Sequence, residues 1–111
     1  MSHCFRLLND AEDLIRLCRP LWERIRRRNK KLTAQLEDAC MSANANTAEG
    51  SYRYDGNRRR AFSIAAGEAR ETKSHIRAAV LAGYVQERRA EPAIDKADKI
   101  AATLYRCLNA A

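Results

Sequence analysis

Apolar residues recur every three or four positions along most of the chain, which is the spacing of an amphipathic α-helix. These stripes predict four helices, over about residues 9–28, 30–52, 58–82 and 92–108. Residues 54–57 read Tyr-Asp-Gly-Asn and supply the glycine and the Asp and Asn that turns require. Four helices with short connections predict an all-α fold, an antiparallel up-and-down four-helix bundle.

The predicted core follows from the same stripes. Its members are, in chain order, Leu7, Ala11, Leu14, Ile15, Cys18, Leu21, Trp22 and Ile25, then Leu32, Leu36, Ala39, Cys40, Ala43 and Thr47, then Phe62, Ala65, Ala69, Thr72, Ile76, Ala79 and Val80, and lastly Ile94, Ala97, Ile100, Ala101, Leu104, Cys107 and Leu108.

Local signals predict where the helices start, bend and stop. Asn9 or Asp10 is expected to cap the first helix. Pro20 removes one backbone hydrogen bond, so we expect the first helix to be kinked or broken there. Gly83 follows the last periodic residue of the third helix and predicts its end. Pro92 is expected in the first turn of the fourth helix.

The middle of the second helix is unusual because it carries small and amide side chains. Ala43, Asn46, Thr47 and Gly50 share one face of that helix, and the third helix offers alanines over residues 61–69. Small side chains let two helix backbones approach closely, and a buried Asn46 amide must find hydrogen-bond partners. The pattern predicts a tight, register-fixing contact, within the bundle or between copies of it. Glu49 and Arg53, four residues apart, are expected to form an ion pair.

Length and composition argue against a multidomain protein, a membrane protein and a metalloprotein. The chain has 111 residues, which predicts one domain over residues 1–111. It contains no apolar run long enough to span a membrane and no apolar leader near its start, so we expect a cytoplasmic protein with no membrane partner. The four cysteines are widely spaced and are predicted to be free thiols, and no metal or cofactor is expected.

The net charge of +7 is concentrated in two places. The first basic cluster consists of Arg19, Arg24, Arg26, Arg27, Arg28, Lys30 and Lys31. The second basic cluster consists of Arg53, Arg58, Arg59 and Arg60. In an antiparallel bundle the two clusters lie at opposite ends of the molecule.

Arginine-rich surfaces suit phosphate backbones because the guanidinium pairs with phosphate oxygens through two hydrogen bonds. The plainer interpretation is that these residues only keep the protein in solution. Stacking aromatics of an RNA-binding motif are missing, with only Tyr52 and Tyr54 beside Arg53, so sequence-specific readout is not predicted.

Three short motifs stand in order along the second and third helices. They are Asn46 to Gly50 (NTAEG), Ser63 to Glu71 (SIAAGEARE) and Ala82 to Val85 (AGYV). Together they resemble the bacterial four-helix bundle family first met as the protein encoded in 23S rRNA intervening sequences. The positions that match the family pattern are Asn46, Ala48, Glu49, Gly50, Ile64, Ala65, Gly67, Glu71, Gly83 and Tyr84. Thr47, Glu68 and Ala82 depart from it, standing where isoleucine, serine and leucine are usual.

The resemblance implies a bundle that assembles as a homo-oligomeric ring, commonly a pentamer, and it implies no enzyme activity. A distant relative is the accessory protein of diversity-generating retroelements, a basic pentameric bundle that binds a reverse transcriptase and nucleic acid. We therefore expect a non-enzymatic oligomeric adaptor that binds an RNA or DNA backbone, or a reverse transcriptase-like protein, through its basic clusters. The alternatives are a purely structural oligomer and a ribonuclease.

The ribonuclease alternative depends on Arg70 and His75. Their spacing, R-x4-H, is that of helical HEPN-type ribonucleases, in which an arginine and a histidine act on the RNA 2′-hydroxyl and phosphate. The family pattern gives neither residue a role, and His75 lies next to the apolar stripe, so a histidine at the edge of the core is the favoured interpretation.

Overall fold

Four helices form the whole of the described fold. The computed structural model describes residues 2–53 and 55–109, with side chains from Arg6 onward. Its helices are α1 (Ser2–Arg26), α2 (Lys30–Ser51), α3 (Gly56–Leu81) and α4 (Glu87–Asn109). Each helix packs against its neighbour in the chain, and α4 also packs against α1, which gives an elongated bundle of 43 × 22 × 19 Å. The predicted all-α, up-and-down four-helix arrangement is confirmed.

Helix α1 differs from the prediction at its start and at Pro20. It begins near the start of the chain, and Asn9 and Asp10 lie inside it rather than capping it. Asp10 is only 7% exposed, because its carboxylate turns inward to Lys96 and Lys99 on α4, at 3.1 and 3.5 Å. The expectation of a break is also wrong, since α1 continues through Pro20 without interruption.

The other helix ends have identifiable caps. The Asn29 side chain accepts a hydrogen bond from the backbone N–H of Leu32 at 2.9 Å, and the Asp55 side chain accepts one from Asn57 at 3.0 Å. The turn predicted over residues 54–57 is therefore present as the cap of α3, although Tyr54 lies outside the described residues. Side-chain oxygens at these positions satisfy backbone donors that the first turn leaves unpaired.

Gly83 ends α3 as predicted. Its φ of +81° is a left-handed conformation that glycine adopts without a steric cost. The backbone N–H of Tyr84 donates to the Ala79 carbonyl and that of Gly83 to the Val80 carbonyl, at 2.9 and 3.0 Å. This pair of bonds is the Schellman motif, and it fixes where Tyr84 leaves the helix.

Helix α4 starts earlier than Pro92 predicts. It begins at Glu87, so Pro92 lies beyond the first turn rather than in it. The extra turn is held by Ala90 and Ala93, which are at most 1% exposed and belong to the core. Burial of these alanines outweighs the hydrogen bond lost at proline, a case of tertiary packing overriding local preference.

The predicted core positions face inward. All are buried except for a partly buried set, Ile15, Leu32, Val80, Ile94, Cys107 and Leu108, most of which lie where stripes approach the surface or the bundle ends. Cys18 of α1 and Cys40 of α2 are both fully buried, and the Cys40 thiol beside it, together with burial, raises the pKa of Cys18. Both are free thiols, as is Cys107, whereas the side chain of Cys4 lies outside the described residues.

At Gly50, the small face of α2 makes room for a side chain of α3. A Cβ atom built there would lie 2.5 Å from Cε1 and 3.2 Å from Cγ of Phe62 on α3, closer than real carbon contacts allow. Glycine therefore leaves the space that the Phe62 ring fills, and the predicted tight contact between the two helices is confirmed at this point.

Asn46 does not fix the register of the two helices as predicted. Its amide nitrogen donates to the carbonyl and the hydroxyl oxygen of Ser42 on its own helix, at 2.9 and 3.2 Å. Because the side chain is half-buried, α2 itself satisfies the donor, and no bond across to α3 is required.

Candidate functional site

The first basic cluster occupies the end of the bundle where α1 passes into α2. Backbone N–H groups of Arg28 and Asn29 both donate to the Ile25 carbonyl, at 2.9 and 2.7 Å, which closes a tight turn. Ile25 is fully buried, so the turn is anchored while Arg27 and Arg28 project from it. A three-residue connection thus concentrates cationic side chains from two helices at one end.

Two members of the first basic cluster have internal partners. Arg26 pairs with Glu23 at 3.1 Å and with Glu37 at 3.6 Å. The Arg28 guanidinium lies over the ring of Tyr84, 5.2 Å from its centroid. The remaining members are exposed and have no ion pair with any described residue; they are Arg19, Arg24, Arg27, Lys30 and Lys31.

Arg88 and Arg89 also lie at this end, and the sequence analysis missed them. They stand in the first turn of α4, which begins beside the end of α3. Both are exposed, and neither has an ion pair within the described part of the chain. The sequence analysis started the fourth helix at Pro92, so it assigned Arg88 and Arg89 to a loop. The apolar residues Ala90 and Ala93, which directly follow them, were the signal that the helix begins earlier.

The second basic cluster is at the opposite end, as predicted, but its residues are largely engaged within the molecule. Arg53 forms the predicted ion pair with Glu49 at 2.5 Å, and Arg59 donates to the Leu108 carbonyl of α4. The Arg58 guanidinium lies over the Phe62 ring at 5.3 Å, the same ring that fills the space at Gly50. Arg60 is exposed and lines a shallow cavity between α2 and α3. The two clusters therefore differ, since most of the uncommitted positive charge is in the first.

The motif residues that carry the family resemblance have different structural roles. Gly50 accommodates Phe62, Glu49 pairs with Arg53, and Gly83 shapes the end of α3. Ala65 is fully buried, whereas Ala48 is half-buried.

Two other motif residues, Gly67 and Glu71, lie on the surface of α3. Gly67 is exposed in the middle of α3, and a Cβ there would meet no atom within 4 Å. Glu71 is exposed too, and the neighbouring Glu68 raises the pKa of its carboxyl through a hydrogen bond and like charge.

The structure does not bring Arg70 and His75 to a common cleft. Arg70 points to α4, where it donates to the hydroxyl of Tyr105 at 2.8 Å. His75 is half-buried and lines a cavity between α2 and α3 with Asp38 and Glu71. An arginine and a histidine that act on one phosphodiester must face it together, and these side chains face different helices.

Metal sites and membrane spans are also missing from the described residues. There, no group of three or more His, Cys, Asp or Glu side chains is placed to bind a metal ion. Within the same residues, no helix combines the length and apolar character that crossing a bilayer requires.

A family model and a solved structure match this chain. No curated protein matches the sequence. A crystal structure of a protein of unknown function from the S23 ribosomal protein family of Bacteroides thetaiotaomicron VPI-5482 superimposes with a TM-score of 0.83, at 17% identity, over 94% of this chain and 99% of that one. The model of the family described as 23S rRNA-intervening sequence protein matches residues 6–106. The chain therefore belongs to the 23S rRNA-intervening sequence protein family.

Proposed function

We propose that this protein is a non-enzymatic adaptor that binds nucleic-acid backbones through its first basic cluster. The observation that carries the proposal is the group of exposed cations at the α1–α2 turn that have no ion pair with a described residue, with Arg88 and Arg89 beside it. Phosphates are the partners that such a surface suits, since each contact releases counterions and adds affinity without base recognition.

The second basic cluster contributes less in this proposal. Arg53, Arg58 and Arg59 each contact a group of the same chain, so binding a phosphate there requires those contacts to be exchanged. Of the four members of this cluster, Arg60 is the one for which the described residues show no such contact. We therefore assign the main contacts to the first basic cluster.

The proposal includes self-association. The family resemblance implies a ring, commonly a pentamer, and a ring would repeat the first basic cluster once per subunit. Several weak phosphate contacts held together act with an avidity that one subunit lacks. The proposed partners are RNA or DNA and, by the same resemblance, a reverse transcriptase-like protein that works on it.

The test is a salt series of binding to a single-stranded RNA and to a DNA duplex. The affinity is expected to fall linearly on a log–log plot, with a slope of about 0.7 to 0.9 per phosphate contacted. In the variant Arg27→Gln/Lys31→Gln we expect the slope to fall by roughly 1.5 per bound subunit. Both residues lack an intramolecular ion pair among the described residues, so their loss should leave the fold intact.

The matched control is Arg6→Gln/Arg106→Gln, which removes the same charge at the opposite end of the bundle. It should change the slope little. Equal effects of the two variants would mean that net charge, and not the first basic cluster, drives binding. Absence of binding at low salt would refute the proposal.

A further inference from the structure

Arg28 differs from the other members of the first basic cluster because its side chain lies on an aromatic ring. Its guanidinium carbon is 5.2 Å from the centroid of the Tyr84 ring, which comes from the connection between α3 and α4. Arg28 is nevertheless exposed, and it has no ion pair with a described residue. The ring therefore covers only one part of the guanidinium, and the rest remains open to a ligand from solution.

The backbone fixes both members of this pair. The N–H of Arg28 donates to the Ile25 carbonyl at 2.9 Å, within the tight turn between α1 and α2. The N–H of Tyr84 donates to the Ala79 carbonyl, also at 2.9 Å, and its side chain is partly buried against the core. A planar cation whose position is set in advance loses little conformational entropy when a second flat group stacks on it.

An exposed apolar side chain lies close to Tyr84 in the chain. Leu81 is 82% exposed, more than any other large apolar side chain that the structure describes. A single exposed leucine is ordinary on a protein surface, but this one ends α3 at the end of the bundle that carries the first basic cluster. There, Arg27 and Lys30 are exposed and have no ion pair with a described residue. This end of the bundle therefore combines a flat cation, an apolar side chain and further positive charge.

Phosphate binding alone requires neither a flat surface nor an apolar side chain. A nucleotide brings a charged phosphate and a flat base together, and bases stack on arginine guanidinium planes as well as on aromatic rings. In a duplex the faces of the bases are already stacked on one another, whereas in a single strand they are available. Stacking on a face tolerates any base, which agrees with the prediction that this protein does not read sequence.

We propose that this end of the bundle binds single-stranded nucleic acid, with one base stacked on the Arg28 guanidinium beside Leu81. The adjoining phosphates then lie on Arg27 and Lys30. This rests on the proposed function and narrows its ligand from any nucleic-acid backbone to unpaired strands. The contacts use the base and the phosphates and no sugar hydroxyl, so RNA and DNA strands are equivalent ligands. Tyr84 is a positioning residue because it acts through Arg28.

The test compares a mixed-sequence DNA strand with its duplex and with an abasic strand, which has the same sugar-phosphate chain without bases. In fluorescence anisotropy titrations, the strand with bases should bind at least about fivefold more tightly than the abasic strand. It should also bind more tightly than the duplex, although the duplex has the more closely spaced phosphates. Equal affinities for the two strands, or tighter binding of the duplex, would overturn the proposal. An RNA strand of the same sequence should bind as the DNA strand does, and binding of one sugar only would contradict the assigned contacts.

The variant Arg28→Lys keeps the charge and removes the flat guanidinium. We expect it to bind the strand with bases about threefold to fivefold more weakly and to bind the abasic strand as the unaltered chain does. The matched control is Arg27→Lys, which makes the same exchange where no described ring lies beneath the side chain, and it should change neither affinity. Both arginines are exposed, so the fold should survive, which circular dichroism melts will verify. Equal effects of the two variants, or equal losses for both strands, would contradict stacking on Arg28.

Two variants test the role of Tyr84. Tyr84→Phe keeps the ring and should bind every ligand as the unaltered chain does. Tyr84→Leu should reproduce the result of Arg28→Lys, with a loss for the strand with bases only, and should add little when combined with Arg28→Lys. If Tyr84 only supported the fold, Tyr84→Leu would weaken binding of the abasic strand as well.

The abasic strand also separates this proposal from the proposed function. It presents the phosphates that the first basic cluster is proposed to bind, so it should bind with a salt-dependent affinity whether or not a base stacks. Salt-dependent binding that is equal for the two strands would mean that the stacking proposal alone has failed. Absence of binding by every ligand at low salt would mean that both proposals have failed.

Discussion

Replacing Gly50 by alanine adds one methyl group against the ring of Phe62. The new carbon would lie 2.5 Å from Cε1, whereas favourable carbon contacts are at about 3.5–4.0 Å. Phe62 is 2% exposed and has Arg58 over its ring, so it has little room to withdraw without losing packing. Helix α2 or the ring must therefore shift.

The magnitude follows from two opposing effects. Overpacking of this kind costs about 1–3 kcal/mol, while replacing glycine by alanine within a helix returns about 0.5–1 kcal/mol. We expect a net loss of about 1–2 kcal/mol in the free energy of unfolding, or a fall of about 4–8 °C in the Tm of a domain of this size.

Urea and thermal unfolding followed by far-UV circular dichroism will measure the loss. The matched control is Gly67→Ala at a concentration where the protein is monomeric. No atom lies within 4 Å of the added carbon there, so only the helix preference acts, and stability should rise by about 0.5–1 kcal/mol.

A double-mutant cycle tests the cause. In a Phe62→Leu background the smaller side chain should relieve most of the penalty of Gly50→Ala, giving a coupling of about 1 kcal/mol or more. If Gly50→Ala costs the same in both backgrounds, or stabilises the protein as Gly67→Ala does, the steric argument is wrong.

Three further predictions concern groups whose surroundings are unusual. Thr47 is fully buried and its hydroxyl has no hydrogen-bond partner among the described residues, so Thr47→Val should raise the unfolding free energy by about 1 kcal/mol in urea titrations. Asp10→Ala should lower it by about 2 kcal/mol because Lys96 loses its closest carboxylate, and Lys96→Met in that background should recover part of the loss. NMR titration should find the pKa of Glu71 above the ordinary range for glutamate, and Glu68→Gln should bring it down. Since the folded state holds that proton to higher pH than the unfolded state does, stability should fall as the pH rises through the pKa of Glu71, and less so in the Glu68→Gln variant.

The periodic apolar pattern was enough to predict the bundle because each helix buries one continuous stripe. Helix starts were harder, since they depend on contacts far away in sequence. Asp10 has the side chain of a cap, yet its partners are lysines on α4, 86 residues away for Lys96. Pro92 has the preferences of a first-turn residue, yet buried alanines extend α4 before it.

The part of the candidate site whose residues are close together in the sequence could be predicted. The run from Arg19 to Lys31 is visible in the sequence because consecutive residues necessarily lie near one another. Arg88 and Arg89 join them only through the fold, and nothing local indicates that association. Conversely, Arg70 and His75 are close in sequence but face different helices, because five residues along a helix correspond to more than one full turn.

The left-handed conformation of Gly83 determines where the Arg28 guanidinium is held. It directs Tyr84 to the place where the ring supports the Arg28 guanidinium, so this arginine is held from beneath by a residue 56 positions later in the chain. A β-branched residue at position 83 would therefore alter how the Arg28 guanidinium is held, while leaving every charge of the protein in place. If the first basic cluster binds nucleic acid as proposed, that affinity and the stability of the α3–α4 connection should decline together in such a variant, although position 83 itself carries no charge.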